Sequence, residues 1–253
     1  MQFNLVLKSK SGKQISILVF ESSTSPKLTL IESHGGYLGS KEKVAEDNKT
    51  LVDWALKNNI NYISIDLSNN GTQKDQPVTE LRYSHRVKDV ETVVDFVKEK
   101  YNSPIILIGS SLGGLITLNA AVYSDNIKGL ILNCSAVKAH ICIEQTMDQS
   151  EFKNWKTKDI AIVWGVPMKY DFYQDVVDLN AMKVIPKLKM PILWFHGTDD
   201  MTVPITQAFE AKHNNSNIEL VDITGGGHRF GDKMKPGEWE EKVENFILKT
   251  LNN

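Results

Sequence analysis

Residues 105–114, IILIGSSLGG, form an apolar run that ends in two serines enclosed by glycines. A short apolar run bounded by small residues is typical of a buried strand, and the glycines predict a tight turn into a helix. Residues 109–113 fit the pattern G-x-S-x-G, in which the central serine lies on a strained strand-to-helix turn. The pattern selects Ser111 as a candidate nucleophile beside Ser110, although the glycines also have a purely steric explanation. A phosphate-binding P-loop is not indicated, because no Lys-Ser or Lys-Thr pair follows them.

The composition is that of an ordinary soluble globular protein. Of the 253 residues, 41% are hydrophobic and 24% are charged, and the formal net charge is −2. Lysine and arginine are scattered, so the sequence indicates no nucleic-acid partner. No apolar stretch approaches the roughly 20 residues that span a bilayer, and no secretion signal is recognised. We therefore expect a cytoplasmic protein without a membrane span, and the two cysteines are too few for a disulfide framework.

Short apolar runs alternate with amphipathic stretches along most of the chain. Residues 3–20 predict an antiparallel β-hairpin at a sheet edge. Six further runs each predict a strand: 27–33, 60–66, 104–110, 127–135, 191–197 and 218–224. Helical periodicity is found in three places: 42–58, 86–100 and 239–247. This alternation predicts an α/β fold with a mostly parallel central sheet and helices on both faces.

One region departs from the alternation. From about 137 to 185 no clear strand pattern is visible, and the segment carries the aromatic cluster YDFY at 170–173. We predict a small helical lid over the strand ends, inserted in a single domain that spans 1–253. Ligands of parallel sheets bind outside the carboxyl ends of the strands, so functional residues should directly follow the apolar runs.

A serine hydroxyl needs an oriented base to act as a nucleophile at neutral pH, and six histidines are available. Three of them are expected to be solvated or packing residues: His85, His140 and His213. His34 and His196 each end an apolar strand, where an imidazole commonly braces a loop. His228 follows the last apolar run after three glycines, and its loop can fold back over the carboxyl edge of the sheet. His228 is therefore the candidate base.

An acid that orients the base should lie between the serine and the histidine in chain order. The segment HGTDDMTVP (196–204) supplies Asp199 and Asp200 directly after a strand, although aspartates also close turns and cap helices. Fixed hydrogen-bond donors must meet the negative charge of a tetrahedral intermediate. The amides of the glycine-rich segment HGGYLGSK (34–41) and the amide of Leu112 are the predicted donors, which together form an oxyanion hole.

In these motifs the chain resembles the α/β-hydrolase superfamily over nearly its whole length. GYLGSK (36–41) is similar to the oxyanion segment of esterases with Gly-Phe-Thr-Gly-Asn-Lys there, which implies that Tyr37 supplies the first oxyanion amide and Leu112 the second. HGTDDMTVP resembles the acid loop His-Gly-x-x-Asp-x-x-Val-Pro, which implies that the acid is Asp200. GGGHRF resembles the terminal histidine motif that carries His228.

The loop after the second parallel strand departs from the family. Many relatives have Arg-Gly-His-Gly-x-Ser there, in a loop that usually shapes the pocket wall, whereas this chain has DLSNNGTQKD at 66–75. The Gly-Ser-Ser elbow also resembles small acyl-protein or acyl-glucuronide hydrolases, which keeps thioesters among the candidate substrates.

The resemblance implies a serine esterase that acts on small-molecule esters of small to medium acyl groups through an acyl-enzyme. In that scheme Ser111 is the nucleophile, His228 the base and Asp200 the acid that orients it, and neither a metal nor an organic cofactor is expected. An acyl-thioesterase or a serine peptidase would use the same three residues. A third possibility is a non-catalytic ligand sensor on this fold. The oligomeric state is left open by the sequence.

Overall fold

The computed structural model describes residues 1–36, 39–70 and 75–252, most of which belong to helices and strands. The strands are β1 (Gln2–Lys8), β2 (Gln14–Phe20), β3 (Leu28–Ser33), β4 (Ile60–Asp66), β5 (Ile105–Ser110), β6 (Ile127–Asn133), β7 (Ile160–Val163), β8 (Val166–Lys169), β9 (Ile192–Gly197) and β10 (Ile218–Ile223). The α-helices are α1 (Lys41–Asp47), α2 (Lys49–Lys57), α3 (Tyr83–Lys100), α4 (Leu112–Ala120), α5 (Ala139–Thr146), α6 (Gln149–Lys158), α7 (Tyr170–Asp178), α8 (Thr206–Asn214) and α9 (Glu238–Leu251).

Eight of the strands form one sheet in the order β1-β2-β4-β3-β5-β6-β9-β10. The predicted hairpin is confirmed, because β1 pairs antiparallel with β2 and lies at one edge of the sheet. From β4 to β10 the neighbouring strands are parallel, as the continuous apolar runs predict. The α/β-hydrolase fold expected from the sequence is therefore present, and the carboxyl ends of the parallel strands meet at one edge of the sheet.

Apolar cores cover both faces of the sheet. On β5, Ile106 belongs to one core and Leu107 to the other, as the two-residue period of a strand requires. One core is completed by α3 and α4, and the other by α2 and α9. The helical periods predicted over 86–100 and 239–247 therefore form the faces that fix the sheet between two helical layers.

The stretch 42–58, predicted as one helical period, is divided at Asn48 into two helices. The Asn48 backbone has φ −104° and ψ 25°, and its side-chain Nδ2 donates to Glu32 Oε1 at 2.9 Å. Asparagine forms such local contacts at helix ends more readily than it extends a helix. At the division the Asn48 side chain contacts a buried carboxyl on β3, which the helical pattern alone does not reveal.

The segment between β6 and β9 contains helices α5, α6 and α7, as the lid prediction expects, but it is not wholly helical. The expectation of no strand there is wrong for Ile160–Val163 and Val166–Lys169, which pair as a two-stranded antiparallel sheet. Each strand has only four residues, and Trp164 and Gly165 make the turn with positive φ. Tryptophan is not among the residues preferred in such a turn, so the sequence carries no hairpin signal.

Within the described ranges, no helix is both long enough and apolar enough to cross a membrane.

A buried carboxyl lies in the centre of the sheet. Glu32 on β3 is only 4% exposed and accepts hydrogen bonds from the Tyr62 hydroxyl and from Asn48 Nδ2. Burial disfavours the charged form and raises the pKa of Glu32 to about 7, although both hydrogen bonds favour ionisation. The folded state therefore holds a proton here near pH 6 that an unfolded chain would release.

This raised pKa predicts a pH-dependent loss of stability. The contribution of Glu32 is fully present below its ordinary pKa of 4.5 and is lost as the pH rises through about 7. Glu32→Gln should remove this dependence, because the amide is neutral at every pH and Asn48 can rotate to pair with it. The free energy of unfolding of the variant minus that of the wild type should therefore increase by on the order of 2–3 kcal/mol from pH 5 to pH 8.

Urea denaturation at the two pH values measures this difference. Glu99→Gln on the exposed end of α3 is the matched control and should leave the pH dependence unchanged. Parallel pH profiles for Glu32→Gln and the wild type would show that Glu32 is not protonated in the folded protein.

Candidate active site

The turn between β5 and α4 holds Ser111 in an unusual backbone conformation. Its φ is 54° and its ψ is −120°, outside the regions that side-chain-bearing residues ordinarily occupy. The Ser111 N–H donates to the Asn133 carbonyl at 2.9 Å, and the Ser111 carbonyl accepts from the N–H of Gly114 and of Ala136, both at 3.0 Å. These contacts hold the strained conformation in place.

Two glycines allow other chain segments to approach this turn. A Cβ on Gly113 would lie 2.5 Å from the His34 carbonyl oxygen, so only glycine lets α4 start directly against the end of β3. A Cβ on Gly35 would lie 2.9 Å from the Ser110 carbonyl oxygen and 3.2 Å from Ser111 Cβ. The glycine-rich loop after β3 therefore runs directly past the candidate nucleophile.

The structure brings three of the sequence-predicted residues into one hydrogen-bonded chain. Ser111 Oγ lies 2.9 Å from His228 Nε2, and His228 Nδ1 lies 2.8 Å from Asp200 Oδ2. An ionised carboxylate only accepts hydrogen bonds, so Nδ1 carries the proton and Nε2 is the acceptor for the serine hydroxyl. The Asp200 side chain is fully buried, whereas 27% of the His228 side chain is exposed. Ser111 and His228 are thus partly exposed to solvent, whereas the Asp200 side chain is not.

The acid and histidine loops follow two adjacent strands, β9 and β10. Backbone hydrogen bonds join these loops: Thr198 N–H donates to the Ile223 carbonyl at 3.0 Å and Asp199 N–H donates to the Gly226 carbonyl at 2.8 Å. The register of the sheet therefore sets how far the imidazole of His228 lies from the carboxylate.

The two aspartates of the acid loop have different partners. Asp200 Oδ1 accepts the N–H groups of Thr202 and Val203 at 2.8 and 2.9 Å, while its Oδ2 faces His228. Asp199 is exposed, and its Oδ1 accepts from the Thr198 hydroxyl at 2.9 Å. The turn amides are therefore held by Asp200, and Asp199 contacts the neighbouring Thr198 hydroxyl.

A second histidine, His196, contacts the acid loop at Val203 and Asp200. The Trp194 indole N–H donates to His196 Nδ1 at 3.2 Å, which leaves the proton on Nε2. Nε2 then donates to the Val203 carbonyl at 2.8 Å and lies 3.4 Å from Asp200 Oδ2. The sequence analysis expected a loop-bracing role for His196, and the buried indole partner on β9 had no sequence signal.

The electrostatic surroundings keep Asp200 ionised. Burial by itself would raise the pKa of this carboxyl. The contacts with His196, with His228 and with the Val203 N–H outweigh burial and hold the pKa of Asp200 well below its ordinary value. The carboxylate is therefore available as a hydrogen-bond acceptor for the His228 Nδ1 proton throughout the neutral pH range.

Cys134, His196 and Asp200 place potential metal-ligating atoms within 4.8 Å of one another. Both nitrogens of His196 are already hydrogen-bonded, to Trp194 and Val203. Burial raises the pKa of the Cys134 thiol to about 12, so the thiol carries a proton at neutral pH. This donor set does not fit a divalent cation as it stands.

The remaining predicted residues concern the oxyanion hole. Tyr37 lies outside the described residues. Leu112 is the first residue of α4, and the first N–H groups of a helix have no acceptor within it and lie at the positive end of its dipole.

Ser110 points elsewhere: its Oγ accepts from Asn133 Nδ2 at 3.4 Å, and the Trp239 indole in turn donates to Asn133. Ser110 therefore does not share the base of Ser111.

Two clefts in the described part of the chain lie away from Ser111, His228 and Asp200. Clefts of about 610 and 500 Å³ both reach Pro191 and adjoin the amino-terminal ends of β6 and β9. Ser111 lies at the opposite, carboxyl edge of the sheet. Chemistry needs reactive groups in contact, and that condition is met by Ser111, His228 and Asp200.

Sheet order, strand direction and helical layers define an α/β hydrolase. The family model described as "Serine aminopeptidase, S33" matches residues 39–171, which is more than half of the chain, and the protein belongs to this hydrolase family.

Solved structures share the fold over nearly the whole chain. Est1E from Butyrivibrio proteoclasticus is 19% identical with a TM-score of 0.81, and the match covers 99% of each chain. Alpha/beta hydrolase domain-containing protein 10 from mouse is 18% identical with a TM-score of 0.77, covering 98% of this chain and 99% of the other. The esterase Pf2001 from Pyrococcus furiosus is 18% identical with a TM-score of 0.69, covering 98% and 90%. At these identities the likeness establishes the fold.

The different partners of the two aspartates predict different mutational effects. Asp200→Asn should lower hydrolytic turnover by about ten-thousand-fold, because the amide favours the wrong tautomer of His228. Asp199→Asn, the matched control on the exposed side of the same loop, should change turnover by less than about tenfold. Turnover is compared for variants with wild-type circular dichroism. A larger loss from Asp199→Asn would place the acid one residue earlier.

Proposed function

We propose that the protein is a serine carboxylesterase that forms an acyl-enzyme on Ser111. The observation that carries this proposal is the chain from Ser111 Oγ through both nitrogens of His228 to Asp200, at 2.9 and 2.8 Å. A base within hydrogen-bond reach of a hydroxyl, itself oriented by a buried carboxylate, is the arrangement that activates a serine. Membership of a hydrolase family supports the same conclusion.

In the proposed reaction, Ser111 Oγ attacks the acyl carbon while its proton moves to His228 Nε2. The carbonyl electron pair moves onto oxygen, and the resulting oxyanion is held by the backbone N–H groups of Tyr37 and Leu112. Collapse of this intermediate breaks the bond to the alcohol, which leaves with the proton from His228. A water molecule then repeats the sequence on the acyl-enzyme and releases the acid, while Asp200 stabilises the imidazolium in both halves.

For the substrate we propose carboxylic esters with small to medium acyl groups. One of the structurally similar proteins, Pf2001, is described as an esterase, and Est1E is described with ferulic acid bound. We further propose that residues 137–185 act as a lid within a single domain. The segment leaves the sheet at the carboxyl end of β6, and its α7 packs on α3, with the rings of Tyr83 and Phe172 5.7 Å apart. A short lid held against the body of the fold favours a compact pocket.

Hydrolysis of an amide is the second candidate, and a specific observation favours it. The family to which the chain belongs is described by a serine aminopeptidase. The same three side chains would attack an amide or a thioester, with the leaving group protonated by His228. The preference among esters, thioesters and amides depends on the pocket, and comparing the turnover of the three substrate classes measures it.

The proposal is tested by comparing the wild type, Ser111→Ala and Ser110→Ala on matched p-nitrophenyl esters, thioesters and aminoacyl amides. Ser111→Ala should lose turnover on the order of a million-fold, because it removes the nucleophile. Ser110→Ala removes a neighbouring hydroxyl that contacts Asn133 and should stay within about tenfold of the wild type.

Among the ester substrates, rates should be highest for short and medium chains. A rate that climbs steadily to acyl chains of about 16 carbons would contradict the compact pocket. Faster turnover of thioesters or aminoacyl amides than of esters would overturn the carboxylesterase assignment, and equal losses from the two serine variants would overturn the choice of nucleophile.

A further inference from the structure

An arginine on α3 is buried completely although it carries a charge. Arg86 is 0% exposed, and among the described residues its guanidinium donates to the backbone carbonyl oxygens of Gly36 (Nη1, 2.9 Å), Ser68 (Nε, 3.0 Å) and Asn69 (Nη2, 3.2 Å). Burying a guanidinium costs free energy unless its donors are satisfied, and a planar fork is suited to several acceptors at once. Arg86 therefore ties two loops together at one point.

One of these loops is the glycine-rich segment after β3. The Gly36 carbonyl oxygen receives a second hydrogen bond from the Tyr83 hydroxyl at 3.0 Å, so two donors from the first turn of α3 converge on a single atom. The Tyr83 ring is itself buried and packs against Phe172 of α7. The position of this carbonyl is therefore set by two buried, packed side chains.

The other loop begins where β4 ends, in the segment that departs from the family pattern. Besides the carbonyls of Ser68 and Asn69, it supplies Asn70, whose Nδ2 donates to the Gly39 carbonyl at 3.2 Å. Asp66 accepts from both the backbone N–H and the Nζ of Lys41, each at 2.8 Å. The loop after β4 thus contacts the glycine-rich segment at 39 and 41, and Arg86 links the two loops at 36.

We propose that Arg86 and Tyr83 are positioning residues that orient the peptide after Gly36 for binding the oxyanion. The inference rests on the proposed function, in which the N–H of that peptide, belonging to Tyr37, is the first oxyanion donor. The peptide unit is planar, and the Gly36 carbonyl on its described side is held by two donors of α3. Tyr37 itself lies outside the described residues, and the contacts that carry the inference are those of Gly36.

The arrangement gives the unusual loop at 66–70 a role in this protein. It provides two backbone acceptors, the carbonyls of Ser68 and Asn69, for the buried charge of Arg86. Asp89, one turn along α3 from Arg86, accepts from the Ser68 N–H at 2.8 Å and holds the same loop from the other side. The support for the oxyanion loop therefore comes from α3 and from the loop after β4, rather than from residues that touch the substrate.

Tyr83→Phe is the sharpest test, because it removes one hydrogen-bond donor and keeps the ring. Its kcat for a p-nitrophenyl ester should fall about tenfold while KM changes less than about twofold, since the lost interaction acts on the transition state. The affinity for a trifluoromethyl ketone, whose adduct carries an oxyanion, should fall by the same factor as kcat/KM. Tyr101→Phe, which removes a hydroxyl hydrogen bond to Glu21 at the other end of α3, is the matched control and should change neither value.

Arg86→Lys adds a second, more severe variant. It keeps the positive charge, but a single ammonium cannot reach three carbonyl oxygens, so a loss in kcat of about a hundredfold is expected. Should this variant fail to fold, Tyr83→Phe still tests the proposal by itself.

Any one of four results would overturn the inference. Unchanged kcat in Tyr83→Phe would show that the hydroxyl does not position the peptide. A fall in kcat without a matching fall in ketone affinity, or a rise in KM alone, would show a role outside the oxyanion hole. A wild-type protein that neither turns over esters nor reacts at Ser111 with a fluorophosphonate would overturn the proposed function and this inference with it. An active wild type with any of the other results would overturn this inference alone.

Discussion

The backbone of Ser111 is the constraint on which the arrangement of the carboxyl edge depends. A residue held at φ 54° and ψ −120° costs on the order of 1–3 kcal/mol, and the surrounding structure must offset that cost. Hydrogen bonds to Asn133 and Ala136 anchor the turn to the chain after β6, and Gly113 lets α4 start against the end of β3. The strand-to-helix turn is thus fixed by both neighbouring strands, and its side chain is directed out of the sheet.

The parallel sheet brings the other groups to the same edge. Asp200 and His228 follow adjacent strands whose loops share backbone hydrogen bonds, so their distance is a property of the sheet rather than of flexible loops. Each carboxylate oxygen of Asp200 has its own task, one holding the turn amides and the other facing the imidazole. His196 beneath them adds a buried contact. In the proposed mechanism this rigidity means that the base is oriented before a substrate binds.

Much of this arrangement could be predicted from local sequence, and the exceptions have physical causes. Buried parallel strands are continuous apolar runs and the elbow is a short local pattern, so the strand positions and Ser111 were accessible. The choice between Asp199 and Asp200 depends on side-chain direction, which adjacent residues of one loop do not reveal, and only the family resemblance selected Asp200. The helical period over 86–100 does not reveal that Arg86 is buried, because its burial depends on a loop folded against it from elsewhere in the chain.

The central claim, that Ser111 forms a covalent acyl-enzyme, is tested most directly by trapping that species. The protein is mixed with a p-nitrophenyl ester, quenched in acid during the first turnover, and analysed by intact mass and peptide mapping. The account predicts a mass increase of one acyl group per chain, located on the peptide that contains Ser111 and absent from Ser111→Ala. Hydrolysis that proceeds with no acylated species, or with the acyl group on another side chain, would contradict it.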